Sequence, residues 1–342
     1  MSRIAVVLFN LGGPDGPQAV RPFLKNLFSD PAIIGAPGVV RLGLAELISR
    51  VRETSAIANY AVMGGGSPLN AETRAQAEAL RARLSALRPG DAVQVFIAMR
   101  YWNPLTEETA AEVARFQPDE VVLLPLYPQF STTTTASSLA AWKACYAGPG
   151  RSHTVCCYPD QDALAAAHAE LIETAWKAAG APETVRLLFS AHGIPQRTSD
   201  AGDPYRWQVE RTCAAVVAKL ERRWDWRICY QSRVGPMKWI GPSTIEEIQR
   251  AGADGVGVVI DPIAFVSEHV ETLVELDRDY AELAQKARVT PYIRVPAVGV
   301  QPRFIEGLAA LVEQALASAG TAPGATPCEA GLSRCALRTL AA

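Results

Sequence analysis

Histidine is scarce in this chain: only His153, His168, His192 and His269 occur in 342 residues. A lone histidine beside carboxylates is too little for a structural zinc site, which takes four ligands. Excess charge is missing as well. The 33 Lys and Arg against 35 Asp and Glu leave a net −2, so there is no basic surplus to neutralise nucleic-acid phosphates. No apolar run reaches the roughly 18 residues of a membrane span. The opening MSRIAVVLFN has no charged segment followed by a small-residue cleavage site, which predicts no export signal. Seven cysteines are an odd number in a chain this long. With nothing pointing to secretion, they predict reduced thiols in a cytoplasm rather than a disulfide framework.

What the chain does have is short apolar runs alternating with helical patterns. Strands are predicted at Ile4–Phe9, Val93–Met99, Glu120–Leu126, Val155–Tyr158, Val185–Phe189, Arg227–Gln231 and Gly255–Ile260. Several are unbroken Val/Ile/Leu runs, as in parallel strands buried on both faces. Helices are predicted at Ala71–Leu87, Glu107–Phe116, Ala163–Ala179, Pro204–Arg223, Ser243–Arg250 and Ser267–Lys286, with Asp203 capping and Pro204 opening the fourth. This alternation predicts an α/β fold with doubly wound parallel sheets. The order also recurs: LFNLGGP is echoed by LFSAHGIP, and LLPLYPQF by VVIDPIAF. We therefore expect two similar domains, 1–148 and 149–319, the last helix packing back on the first domain, and a short tail, 320–342. Gly320–Thr326 has the composition of a flexible linker. Ligands of open parallel sheets bind beyond the carboxyl ends of the strands, where Asn10, Arg100, Tyr127, His192 and Ser232 all fall. They are expected to line one cleft between the domains.

His192 follows an apolar run, and Gly193 and Pro195 set a tight turn behind it. Imidazole titrates near neutrality and ligates borderline metals. In FVSEHVETLVELD, with Ser267 as helix cap, Glu268, Glu271 and Glu275 fall at i, i+3 and i+7 and share a helix face. Such a stripe is either a solvated acidic face or a path for cations and protons. The glycine-rich MGGGSP at Met63–Pro68 fits neither nucleotide-binding pattern and is expected to form a lip over a pocket. STTTT at Ser131–Thr135 is expected to cap a helix. A serine hydrolase using Ser190 and His192 lacks the G-x-S-x-G elbow.

Taken in order, FNLGGP, YAVMGGGSPL, AMRYWNP, LLPLYPQFS, LFSAHGIPQRTSDAGDPY, YQSRVGPMKWIGP and IAFVSEHVETLVELD resemble the ferrochelatase family over nearly the whole chain, about Ile4 to Leu276. The resemblance implies two flavodoxin-like domains that hold a porphyrin in the cleft between them. The implied reaction inserts ferrous iron into protoporphyrin IX, releases two protons and yields haem. It further implies His192 and Glu271 as catalytic residues. Metal handling is implied for His192, Glu271, Glu268 and Glu275. Substrate contacts are implied for Arg52, Tyr60 and Ser67 at the porphyrin propionates, and for Leu11, Arg100, Tyr101, Trp239, Phe265 and His269 along the pocket.

Some family members carry a two-iron, two-sulfur cluster. Here the tail supplies only Cys328 and Cys335 as candidate ligands, and Thr132 stands at the internal position that animal enzymes use. The competing readings are a chelatase for coproporphyrin III or another metal, and a non-catalytic tetrapyrrole or metal carrier. The expected partners are porphyrin and iron. The chain is expected to be a cytoplasmic monomer, and its insoluble product is compatible with peripheral attachment to a membrane.

Overall fold

The computed structural model describes residues 1–233, 235, 237–318, 321–322 and 328–339. They form two compact units. The first takes residues 1–157, 308–318, 321–322 and 336–339, and the second takes the rest.

In the first unit, β1 (Arg3–Asn10), β2 (Ala92–Met99), β3 (Glu120–Pro125) and β4 (Arg151–Val155) form a parallel sheet in the order β2-β1-β3-β4, extended at its edge by the two-residue strand Thr321–Ala322. β1 is buried on both faces from Ile4 onward, with Ala5, Val7 and Phe9 packed against Ala110, Val113 and Trp142, which explains its lack of polar alternation. In the second unit, β5 (Val185–His192), β6 (Asp225–Gln231), β7 (Gly257–Asp261) and β8 (Tyr292–Arg294) repeat the arrangement as β6-β5-β7-β8, again all parallel. The duplication seen in the motifs is thus a duplication of strand order. Both sheets are α/β and doubly wound, as expected.

The elements differ from expectation in places. β4 lies at 151–155, four residues before the predicted start, because RSHTV is a half-polar strand whose buried members are His153 and Val155. Four long helices had no predicted range: Pro17–Ser29, Gly38–Val62, Thr135–Cys145 and Pro302–Ala317. Gly38–Val62 escapes an amphipathic search because Val39, Val40, Leu42, Leu47 and Val51 are exposed while Ser49 is buried. The Asp203–Pro204 start is as read: Asp203 Oδ1 accepts the Tyr205 N–H at 3.0 Å, and Pro204 has helical dihedrals. Of the Gly320–Thr326 linker, only Thr321 and Ala322 lie within the described residues. Among the described residues, which include all seven cysteines, there is no disulfide.

Candidate active site

In the second sheet the order reverses between β5 and β7, so the carboxyl ends of these strands mark its ligand-binding position. His192 ends β5, and the segment after β7 carries Phe265, His269 and Glu271. The two elements meet there. His192 Nδ1 lies 2.7 Å from Glu271 Oε2. A carboxylate at that distance fixes the proton on Nδ1 and leaves the Nε2 lone pair free. The His192 side chain remains 40% exposed, so that lone pair is accessible.

The turn behind His192 is fixed by backbone contacts. Gly193 donates its N–H to the Gln231 carbonyl at 2.9 Å, and a Cβ on Gly193 would sit 3.0 Å from that oxygen. Only glycine allows this approach without a shift. Pro195 forms a bridge with Trp239, which brings the Trp239 segment alongside His192.

Glu271 begins a nine-residue π-helical segment, Glu271–Asp279, within which Glu271 and Glu275 face the same groups. Wide i→i+5 turns of this kind are rare and cluster at functional sites. Ser232 reaches both carboxylates: its Oγ is 3.0 Å from Glu271 Oε2 and 2.8 Å from Glu275 Oε2. Ser232 has φ +62°, a left-handed conformation that costs a non-glycine residue energy and that recurs at sites where position matters. Gln231 donates to Glu275 Oε2 at 3.0 Å and to the Glu271 carbonyl at 2.8 Å.

These contacts give the acids different protonation behaviour. Burial opposes charge on Glu271, but the adjacent His192 imidazole holds its carboxyl down at about 2. Burial, reinforced by the charge of Glu271, pushes Glu275 up to about 7. Desolvation works against a charged His192, yet the Glu271 carboxylate holds its pKa above the ordinary value. An imidazole and two carboxyls with separated proton affinities can take up, hold and pass on protons.

Glu268 does not join this group. The helical turns begin at Val270, and Glu268 lies before them. Its Oε1 accepts from Arg294 Nη1 at 2.6 Å and from the Ala297 N–H at 2.9 Å. Burial opposes its charge, but Arg294 keeps its pKa low. The three-glutamate stripe on one α-helical face is therefore corrected to a Glu271–Glu275 pair. Ser267 does not cap a helix at this point, since the segment opens as irregular backbone. His269 is buried, with Nδ1 3.0 Å from the Ser267 carbonyl and its ring 4.7 Å from that of Phe265. Ser190 is fully buried and bonds Gln231 and Thr244, which rules it out as an exposed nucleophile.

The first unit holds the remaining expected residues. Arg100 pairs with Asp30 Oδ2 at 2.8 Å and donates from Nε to Ser137 Oγ at 2.7 Å. The Tyr101 hydroxyl also donates to Asp30 Oδ2, at 2.8 Å, and Tyr101 is 1% exposed. Both are thus committed to a network around Asp30, a residue that no local pattern singled out. Arg52 and Tyr60 share the Gly38–Val62 helix; Arg52 lies 5.9 Å from the Phe28 ring centroid, and Tyr60 is buried. After that helix, Gly64 and Gly65 take φ of 88° and 98°. Ser67 then packs against Gly13 so closely that a Cβ there would lie 2.5 Å from the Ser67 Cβ, joining the FNLGGP and GGGSP motifs. Leu11 lies just past the end of β1, and its carbonyl accepts from the Tyr101 N–H at 3.0 Å.

Two solved structures share this fold. SirB from Bacillus subtilis with Fe3+ aligns over 92% of this chain and 96% of its own, at a TM-score of 0.51 and 12% identity. DR2241 from Deinococcus radiodurans, described as similar in structure to chelatases, aligns over 91% of this chain and 55% of its own, at a TM-score of 0.54 and 13% identity. The family follows from sequence. The ferrochelatase family model matches residues 3–316. The chain is similar to the ferrochelatases of Caulobacter vibrioides strain NA1000 (61% identical, 98% of both chains), Phenylobacterium zucineum (60%, 98% of both) and Rickettsia bellii strain OSU 85-389 (47%, 91% of this chain and 86% of the relative). The chain belongs to the ferrochelatase family.

Proposed function

We propose that His192 and Glu271 are the working pair of this ferrochelatase, a lyase that inserts ferrous iron into protoporphyrin IX, releases two protons and yields haem. The observation that carries the assignment is the 2.7 Å contact between His192 Nδ1 and Glu271 Oε2 at the carboxyl end of β5. A porphyrin must lose both pyrrole protons before its four nitrogens can bind a metal. Neutral His192, protonated on Nδ1, accepts a pyrrole proton at Nε2. The imidazolium so formed is stabilised by Glu271. Ser232 bridges Glu271 to Glu275, whose raised proton affinity makes it the next holder. Imidazole and carboxylate oxygens both suit ferrous iron, so the same groups serve the incoming substrate metal.

Arg52, Tyr60 and Ser67 are assigned to the propionates, and Leu11, Arg100, Tyr101, Trp239, Phe265 and His269 to other porphyrin contacts. For Arg100 the support is a fixed guanidinium, held by Asp30 and Ser137. Phe265 and His269 are supported by their ring contact within a few residues of Glu271. Glu268, locked by Arg294, serves the site by holding the segment that carries His269.

The protein acts in the cytoplasm as a monomer. Among the described residues no helix is long and apolar enough to cross a membrane. Peripheral contact is supported by Val39, 88% exposed, and Val51, 73% exposed, on one solvent-facing helix. A two-iron, two-sulfur cluster needs four ligands. Cys328 and Cys335 adjoin, the Cys328 N–H lying 3.5 Å from Cys335 Sγ. Among the described residues, however, no group of three or more His, Cys, Asp or Glu is placed to hold a metal. No step of the proposed reaction depends on a cluster.

The test is anaerobic turnover with ferrous iron, protoporphyrin and coproporphyrin supplied in parallel. Protoporphyrin is expected to be the faster substrate. Faster turnover of coproporphyrin would move the assignment to the sister activity.

A further inference from the structure

Gln231 belongs to none of the roles assigned above, yet it is the most heavily committed side chain at the site. It is 1% exposed and ends β6. Its Oε1 accepts from Ser190 Oγ at 2.7 Å. Ser190 has one proton and spends it there, so Thr244 Oγ1, 2.9 Å away, must donate to Ser190. This chain of donors decides which way the amide points. With Oε1 turned to Ser190, the NH2 group faces the π-helical segment, where it meets two acceptors, the Glu271 carbonyl at 2.8 Å and Glu275 Oε2 at 3.0 Å. The reversed amide would set an oxygen against both acceptors.

One buried amide therefore ties β5, β6 and the first residue of the Thr244–Ala253 helix to the backbone of one glutamate and the carboxyl of the other. Its backbone carbonyl also accepts from Gly193, the residue after His192. The same residue thus touches both sides of the His192–Glu271 contact without touching either reacting side chain. We propose that Gln231 is a positioning residue for iron insertion, holding the Glu271–Glu275 segment at the depth where Glu271 meets His192. This rests on the reading of His192 and Glu271 as the working pair. Partners that orient catalytic or metal-binding groups typically contribute about 10- to 100-fold to activity.

The test is Gln231→Leu, which keeps most of the volume and removes both N–H donors, with Glu271→Gln measured in parallel. The readouts are anaerobic haem formation, porphyrin binding by fluorescence quenching, and thermal melting. For Gln231→Leu we expect kcat about 10- to 100-fold lower, with porphyrin KM within about two-fold and the same number of porphyrins bound per chain as in the unmodified protein. A purely structural role would instead lower the binding stoichiometry and kcat together. Ser190→Ala, which frees the amide without disturbing its donors, is expected to lower kcat in the same direction by less, and it decides the question if Gln231→Leu does not fold. Unchanged kcat in folded Gln231→Leu, or in Ser190→Ala if that variant must decide, overturns the proposal while a slow Glu271→Gln leaves the catalytic pair standing. Near-normal turnover by Glu271→Gln removes the catalytic pair itself, whatever Gln231 does.

Discussion

Replacing Glu271 by Gln should slow iron insertion far more than it weakens porphyrin binding. In the unmodified protein, Glu271 Oε2 faces His192 Nδ1 at 2.7 Å and Ser232 Oγ at 3.0 Å. Gln keeps the shape but removes the charge, and at the Oε2 position it offers either a neutral oxygen or an NH2 that opposes two donors. Either way the Nδ1–H tautomer of His192 loses its anchor, and the imidazolium formed on accepting a pyrrole proton loses its counter-ion. Charge-assisted hydrogen bonds are worth about 1.5–3 kcal/mol, and a positioned acid–base group about 10²- to 10⁴-fold. We therefore expect kcat to fall about 10²- to 10⁴-fold, or roughly 3–5 kcal/mol of barrier. Porphyrin KM should stay within a few-fold, because the carboxylate acts on the proton rather than on the macrocycle's periphery. The assay is initial-rate haem formation under anaerobic conditions, with porphyrin binding followed by fluorescence. Turnover within three-fold of the unmodified enzyme would refute the reasoning, as would a defect confined to KM.

His192→Ala should abolish insertion while leaving the fold intact, because the side chain is 40% exposed and its loss opens no buried cavity; circular dichroism and melting check the fold, and an active variant sinks the assignment. The acids also predict a pH dependence of stability in protein free of porphyrin and iron. Glu275 has a folded pKa of about 7 against an ordinary 4.5, so between those values the folded chain keeps a proton that the unfolded chain has lost, and stability falls as pH rises through that window. Glu271, held at about 2 against 4.5, has the opposite sign: its contribution is complete above 4.5 and is lost as pH falls toward 2. Denaturation midpoints across pH should therefore show a decline between 4.5 and 7 that Glu275→Gln flattens; identical slopes would contradict the raised proton affinity.

The central strands were legible because they are buried on both faces, so runs such as VVLF in β1 and LLFSA in β5 carry no alternation to confuse the reading. His192 was legible by position, one residue before a glycine at a strand end. The Gly38–Val62 helix was not, since its apolar side chains face outward and the usual periodic signal is absent. Glu268 was misplaced because an α-helical period was laid over a segment whose regular turns begin later and run wider. What captures Glu268 is Arg294, 26 residues further on, and local spacing does not show such a partner. Asp30, which gathers Arg100 and Tyr101 from about 70 residues away, was invisible for the same reason. Ser232 was flagged by its place after β6, but its link between two carboxyls depends on a left-handed backbone that the sequence does not announce.

The most direct test of the account is multiple-turnover haem synthesis by the purified protein, with ferrous iron and protoporphyrin IX in large excess under anaerobic conditions. The account predicts many haems per chain from the unmodified protein and none above background from His192→Ala. Binding of porphyrin or iron that stops at one equivalent per chain, with no haem released, would contradict it and leave a carrier rather than an enzyme.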